Sequence, residues 1–442
     1  MANDCWLLRS NGVYVGRVEG DYGRVEAPGE AAKFFLKPSR LGQYLLLSDY
    51  QRAAGEFGTK QLLGISDPAG EFLDELGNLT SEAGILVRGI VDVADYFVDP
   101  ALASQRIAQD IANEVIGAGG LIGDNDVDPG LATVSRANDL ALWDLVESAP
   151  GSERFFIRSH VTGMNLHLTP DVFGLSSDAG EGQHFELIET SDCAEYPEVP
   201  LNLTASEAGP AIFLNEVDRF AGQGFDDDDI FGFVDTHSHI SAYEFIGGRI
   251  NYGDPFHKFG IDHALEDCEV NHGPNGSTGL VEAFTTDPEP HATRGWPDFP
   301  YWPVHNSLQH HQSYYRWIER SYYAGQKILV NHLVHNEILC QLNPQKENEC
   351  DAMPAIILQA QRMYEMQDYI DAQHGGPGEG WFRIVTTPAE ARAVIADGKM
   401  AVILGLEMSK PLNCGEFQGV AECTFDEALE RMDVLEEWGV RS

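Results

Sequence analysis

The chain has 442 residues, which at about 150 residues per domain predicts two or three domains. Apolar residues make up 43% of it, enough for packed cores. The formal net charge is −42, and only 8 of the 28 basic residues are Lys. Such a surface repels phosphate backbones and anionic lipid, which argues against a nucleic-acid partner or a peripheral membrane protein. No stretch of 18 uninterrupted apolar residues occurs, so membrane insertion is not expected. The start, Met1 to Trp6, has neither the basic nor the apolar region of a signal peptide.

Residues 1–190 carry an internal repeat. Residues 33–47 (KFFLKPSRLGQYLLL) align with 154–168 (RFFIRSHVTGMNLHL), matching Phe34 to Phe155, Gly42 to Gly163 and Leu45 to Leu166. A shorter copy, CWLLRSNGVYV, starts at Cys5. Each copy reads as an apolar strand, a Gly turn and a second strand. Three such copies predict an all-β, trefoil-like amino-terminal domain. Short strands are also expected around Leu140–Leu145 and His184–Ile188. The uneven spacing of the copies implies an insertion near 67–140. It is helical in part, with Ile107, Ile111 and Val115 at four-residue spacing between Ala101 and Ile116. Residues 191–229 read as a linker with Pro197, Pro200 and Pro210, ending in the acidic run Asp226–Asp229, a solvated loop or, as the lesser reading, a calcium site.

From residue 230 the pattern changes. The apolar runs Ile230–Ile240, Lys327–Val334 and Met400–Leu406 alternate with helical stretches at 355–371 and 388–397. This alternation predicts β/α units around a parallel sheet, with functional residues at the carboxyl ends of the strands. Two such ends stand out. VDTHSH places His237 and His239 two apart, able to share one metal ion. AVILGLE ends an apolar strand on Glu407, where a carboxylate is costly unless exposed, paired or on a metal. A third run ends in Asn331–Asn336, so that His335 or Asn336 is a weaker candidate for lining a substrate pocket. Twelve of the 15 His lie between 237 and 374, including His257, His263, His272, His291, His305, His310 and His311 in long loops. No role is assigned to these seven. The chain has no G-x-S-x-G, H-E-x-x-H or P-loop motif. None of the seven Cys forms a C-x-x-C. Cys340 with Cys350, and Cys414 with Cys423, would each close a short polar loop. They read as disulfides in an exported protein and as thiols in a cytosolic one. The odd count leaves at least one Cys over.

The VDTHSHI strand, the stretch DYIDAQHGGPGEGWFRIVTTPAEARAVIADGKMAVILGLE and the ending LEEWGVRS resemble the membrane dipeptidase family, peptidase family M19 of the amidohydrolase-like metal-dependent hydrolases. The resemblance covers about 230–442. It implies a (β/α)8 TIM-type barrel with two zinc ions at its mouth, His237 and His239 as ligands and Glu407 as the bridging carboxylate. The family usually carries His-x-Asp where this chain has His-x-His. Three to four β/α units can be counted, and the family's remaining ligands and its catalytic acid/base would lie beyond Ser442, so the chain is expected to be the front part of a longer protein. The implied activity is hydrolysis of a dipeptide or related small amide by a metal-activated water, in an extracellular or periplasmic protein. Two alternatives stand beside it. One is a binding protein whose trefoil-like domain holds a carbohydrate or surface ligand next to an inactive barrel. The other is a mononuclear amidohydrolase acting on a lactone, cyclic amide or phosphoester.

Overall fold

The computed structural model describes residues 1–51, 59–65, 131–177, 180, 182–201, 229–277, 291–298 and 309–442. Twelve strands build the amino-terminal part: β1 (Cys5–Ser10), β2 (Val13–Val18), β3 (Asp21–Val25), β4 (Phe34–Arg40), β5 (Gln43–Gln51), β6 (Thr59–Ile65), β7 (Leu131–Val134), β8 (Leu142–Glu147), β9 (Arg154–Ser159), β10 (Asn165–Leu168), β11 (Phe173–Ser176) and β12 (Phe185–Glu189). Antiparallel pairing runs β1–β4–β5–β8–β9–β12 and returns to β1, which closes a six-stranded barrel. The other six strands pair as β2–β3, β6–β7 and β10–β11. Three four-strand units, each giving two strands to the barrel and one hairpin, are the strand plan of a β-trefoil. Closure removes the edges that an open sheet of this size would expose. Leu8, Phe34, Leu36, Leu46, Trp143, Ile157 and Phe185 fill the interior, and the Trp143 indole N–H is satisfied by the Leu63 carbonyl at 2.8 Å.

The repeat is real, but its units are offset from the sequence alignment. Residues 33–47 hold β4 and β5, the junction between two units, whereas 154–168 hold β9 and β10, the start of one. Both connections are apolar strand, left-handed Gly and apolar strand, with Gly42 at φ 74° and Gly163 at φ 70°. A pattern that recurs at several antiparallel connections cannot tell one junction from another. The expected strands near Leu140–Leu145 and His184–Ile188 are β8 and β12. The insertion falls between β6 and β7; its expected helix at Ala101–Ile116 lies outside the described residues. Residues 131–140 belong to the trefoil-like domain rather than to the insertion, because β7 pairs with β6.

The second part is a parallel sheet of β13 (Phe233–Ser238), β14 (Gln326–His335), β15 (Phe382–Ile384) and β16 (Met400–Met408), in the order β13-β14-β16-β15. Helices α1 (Ile261–Ala264), α2 (Glu269–His272), α3 (Tyr315–Tyr323), α4 (Glu337–Leu342), α5 (Ala352–Gln373), α6 (Pro388–Ala396) and α7 (Phe425–Glu437) connect and flank the strands. Three of the strands match the expected apolar runs; β15, three residues long, was too short to register. The (β/α)8 barrel expected from the family resemblance is not formed by the described residues. Their sheet is open, and β13 is paired on one side only, with Val234 half exposed. A (β/α)8 barrel takes eight parallel strands, and the described sheet has four. At the other edge of the β14–β16 pair, Val440 bridges Leu404 in parallel and Leu406 N–H donates to the Ser442 carbonyl at 2.8 Å. The core of this part gathers Ile356, Met363, Met366 and Ile370 of α5 against Leu329, Leu333, Met400 and Leu404.

Buried polar groups join the two parts. Lys37 of β4, 3% exposed, donates from Nζ to the Tyr369 hydroxyl at 3.2 Å and to Gln373 Oε1, while Gln373 Nε2 donates to the Pro38 carbonyl at 2.8 Å. Lys60 of β6 pairs with Asp262 of α1. Residues 191–201, expected as linker, run through this junction. Tyr196 is buried and donates to the Phe259 carbonyl at 2.5 Å. Glu198 accepts from the Tyr314 and Tyr315 hydroxyls at 2.9 Å. Asp226–Asp228 lie outside the described residues. Both expected disulfides form, Cys340–Cys350 and Cys414–Cys423. A third, Cys5–Cys193, ties β1 to the segment after β12 and has no local spacing that could have revealed it. Three disulfides hint at an extracellular protein. Among the described residues no helix is long and apolar enough to cross a membrane.

Burial pushes the Lys37 ammonium down to about 8 from its ordinary 10.5. Above pH 8 the folded state gives up this proton while the unfolded chain keeps it until about pH 10.5, so Lys37 makes stability rise with pH across that window. Lys37→Met should remove an increment of about 1–3 kcal/mol between pH 8 and 10. Denaturant unfolding of both proteins at several pH values measures it, and parallel pH profiles would refute the assignment.

Candidate metal centre

The parallel register brings three strand ends to one edge. Ser238 lies opposite Asn331, and Val334 opposite Glu407. There the His237 Nε2 is 2.9 Å from Glu407 Oε2 and 3.0 Å from His239 Nε2, and His239 Nε2 is 3.5 Å from the same carboxylate oxygen. One atom of each residue therefore converges on a common point. Ligand atoms around a tetrahedral ion with metal–nitrogen bonds of about 2.0–2.1 Å stand roughly 3.3 Å apart, so the three donors fit a single ion. Among the described residues no further donor joins these three. The side chains are 59%, 33% and 50% exposed for His237, His239 and Glu407. Three donors with access from solvent leave a coordination position open, the feature that separates catalytic from structural metal sites.

The surrounding groups orient the donors. The His239 Nδ1 is 3.1 Å from the His332 carbonyl. That carbonyl can only accept, so the proton sits on Nδ1 and the Nε2 lone pair faces the cluster. His237 N–H donates to Asp235 Oδ1 at 3.0 Å. The His332 ring lies 4.5 Å from that of His237, with Nε2 3.3 Å from the Thr236 carbonyl. Gly405 makes room for it: a Cβ there would stand 2.7 Å from His332 Nδ1. Beneath the site Asn331, fully buried, accepts from Ile240 N–H at 2.6 Å and donates to Ser241 Oγ at 3.1 Å. Ser241 in turn donates to Gln359 Oε1 at 3.1 Å, and Gln359 holds both backbone groups of Val334.

His335 and Asn336 do not line this site. His335 is buried with Nε2 3.0 Å from the Cys350 carbonyl, and Asn336 caps α4 by accepting from Leu339 N–H at 3.0 Å. The β14 residue beside the cluster is His332, three residues earlier and so on the opposite face of the strand. Among the other loop histidines, His257 and His263 stack at 5.3 Å, and burial holds both His257 and His311 down to about 4. His305 lies outside the described residues. Cys268, His272, His291 and His310 form a second, buried group that could bind a metal. Sequence reasoning gave them no role; the one local signal was Cys268-x-x-x-His272. A cleft of 660 Å³ separates the trefoil turn Ser39–Leu41 from Tyr243, Tyr252, Asp254 and Arg362. It does not include His237, His239 or Glu407. Loss of hydration, with Glu244 adding repulsion, pushes the Asp254 carboxyl on its wall up to about 7.

No family model matches the chain, and no curated protein is similar to it. The resemblance to membrane dipeptidases thus gains no support from either comparison. Among solved structures, it is similar to a designed three-fold symmetric protein, ThreeFoil, at 11% identity over 42% of this chain and 99% of that one, with a TM-score of 0.23. The BEL beta-trefoil matches at 12% identity over 43% and 95%, with a TM-score of 0.24. A Polyporus squamosus lectin bound to a human-type influenza-binding epitope matches at 8% identity over 50% and 70%, again with a TM-score of 0.24. The trefoil-like assignment rests on the strand pairing described above.

Asn331→Ala would strand the Ile240 N–H in the interior. We expect it to lower stability by about 1–3 kcal/mol, the cost of a buried group left without its partner. Denaturant unfolding tests this, and a change within error would show that Asn331 does not hold the end of β13.

Proposed function

We propose that residues 229–442 carry a metal-dependent hydrolase site in which His237 Nε2, His239 Nε2 and Glu407 Oε2 hold a divalent ion, zinc being the ion best suited to two imidazoles and a carboxylate. The observation that carries the reading is the convergence of these three atoms at the carboxyl ends of parallel strands. Bound there, the ion supplies a water acidified toward neutrality and a Lewis acid for a substrate carbonyl or phosphoryl oxygen. The chain's own residues do the rest. His239 stays in the Nδ1–H form because the His332 carbonyl accepts that proton. Glu407 adds the negative charge that two neutral imidazoles lack. A small amide is the substrate class this reading favours, a dipeptide first, with lactones, cyclic amides and phosphoesters as neighbouring classes served by the same chemistry.

A second reading concerns the amino-terminal domain. Its closed barrel with three hairpins supports a role in ligand recognition, with a carbohydrate as the ligand class, although a fold by itself does not carry a function. The two readings are compatible within one chain.

Metal-binding titrations of the full chain with Zn²⁺ or Co²⁺ test the first reading, coupled to hydrolysis assays over dipeptides, small amides, lactones and phosphoesters. His237→Ala, His239→Ala and Glu407→Gln should each weaken binding at this site by about 100-fold or more, beyond the 10–100-fold that outer contacts contribute. Turnover should fall in parallel. Unchanged affinity in all three variants would remove the metal centre. Loaded protein that hydrolyses nothing in the panel, while binding a glycan array through residues 1–190, would leave the second reading in its place.

A further inference from the structure

We infer that Cys268, His272, His291 and His310 form a second, closed zinc site with a structural role, independent of the candidate centre at His237. One atom from each residue takes part, and Cys268 Sγ and His291 Nε2 each recur in two of the three contacts. Cys268 Sγ is 3.5 Å from His291 Nε2 and 3.4 Å from His310 Nε2, and His272 Nδ1 is 3.3 Å from that same His291 Nε2. All four atoms lie within 4.8 Å of one another. A tetrahedral zinc with bonds of about 2.3 Å to sulfur and about 2.0–2.1 Å to nitrogen sets ligand atoms roughly 3.3–3.6 Å apart. The observed separations fall on those edges. The three imidazoles stand nearly perpendicular to one another, at 81°, 83° and 84°, with centroids 4.8–5.2 Å apart. Three rings aimed at one point from three directions produce that arrangement.

The surroundings are those of a structural site. Cys268, His272, His291 and His310 are 0%, 1%, 4% and 2% exposed, so no position is open to substrate. The Cys-x3-His spacing spans α2, whose N-terminal flank is Cys268 and whose last residue is His272. The other two donors are brought in by backbone pairing. Cys268 N–H donates to the Thr293 carbonyl at 2.9 Å, and Tyr252 N–H and carbonyl bond Gln309 and His311 on either side of His310, at 2.6 and 2.8 Å. Gly276 lets the chain pass close to His291, where a Cβ would stand 2.3 Å from Nδ1. Zinc here would take the thiolate and three neutral imidazoles, releasing the Cys268 proton to solvent on binding. The site would clip together three separate stretches of the long β13–β14 connection, and through Tyr252 it would fix one wall of the cleft.

The chain offers a direct stoichiometric test. Six of the seven cysteines are in disulfides, so each native chain carries one thiol, that of Cys268. Full-length protein purified without chelator should contain about one tightly held zinc that survives dialysis. An organomercurial titrated against it should release one zinc per thiol modified, read with a colorimetric zinc indicator. Cobalt exchanged into the site should show a thiolate-to-cobalt charge-transfer band in the near ultraviolet. Cys268→Ser should lose both the band and the retained zinc, whereas His237→Ala with Glu407→Gln should keep them. Should Cys268→Ser fail to fold, the mercurial titration and cobalt spectrum of the native protein decide alone. Zinc that stays bound after full modification of the thiol, cobalt protein lacking the thiolate band, or native protein that takes up no metal at this thiol would each overturn the inference.

Discussion

Everything at the candidate centre depends on how β13 stops. Asn331, in the middle of β14 and fully buried, accepts from Ile240 N–H and reaches Ser241. This turns the chain away from the strand direction directly after His239. With that turn, both imidazoles remain within reach of Glu407, which the β14–β16 register has already placed opposite Val334. The polar chain through Ser241 and Gln359 to Val334 then ties the turn to β14, the strand between the two ligand-bearing elements. Buried polar groups that are all satisfied specify one arrangement, because every alternative leaves a donor or acceptor dry.

The two His-containing clusters divide along the chemistry of their donors. At His237 the set is two imidazoles and a carboxylate, at a solvent-facing strand edge. A carboxylate tolerates that exposure and leaves room for water. At Cys268 the set is a sulfur and three imidazoles in a dry interior. Soft donors that fill a tetrahedron hold a metal firmly and offer it nothing to react with. The same element in the two places would do different work, catalysis in the first and reinforcement in the second.

Much of this was legible in the sequence, and the failures have physical reasons. His237, His239 and Glu407 were visible because apolar strands that end on polar ligands are a local pattern, and a parallel sheet brings such ends together whatever the connections between them. The trefoil-like domain was visible through its apolar strand and Gly turn copies, although Gly42 and Gly163 sit at different junctions of the repeat. His335 was misjudged because a strand's last residue points to the face opposite its neighbour, and His332 occupies the useful face. The Cys268 group was hidden by its distances along the chain. Only Cys268 and His272 are close in sequence, and His291 and His310 join them through backbone pairings such as Tyr252 with His310 that no periodicity announces. Cys5–Cys193 was hidden in the same way.

The long connection between β13 and β14 shows why such distant ties are needed. Of its described helices, α1 and α2 are four residues each and α3 is nine, below the length at which a helix holds itself in water. Its described part must therefore be held from outside. On one side the trefoil-like domain and the segment after it do this: Lys60 pairs with Asp262, Ser39 Oγ donates to the Lys258 carbonyl at 2.7 Å, and Tyr196 donates to the Phe259 carbonyl. On the other side lies the Cys268 group. The cleft between Ser39–Leu41 and Tyr252 is the space left between these two anchors. The β-rich domain is then more than a neighbour of the parallel sheet. It supplies the contacts that a short-helix connection lacks, and its burial of Lys60 against Asp262 is part of the desolvation cost of fixing that connection in place.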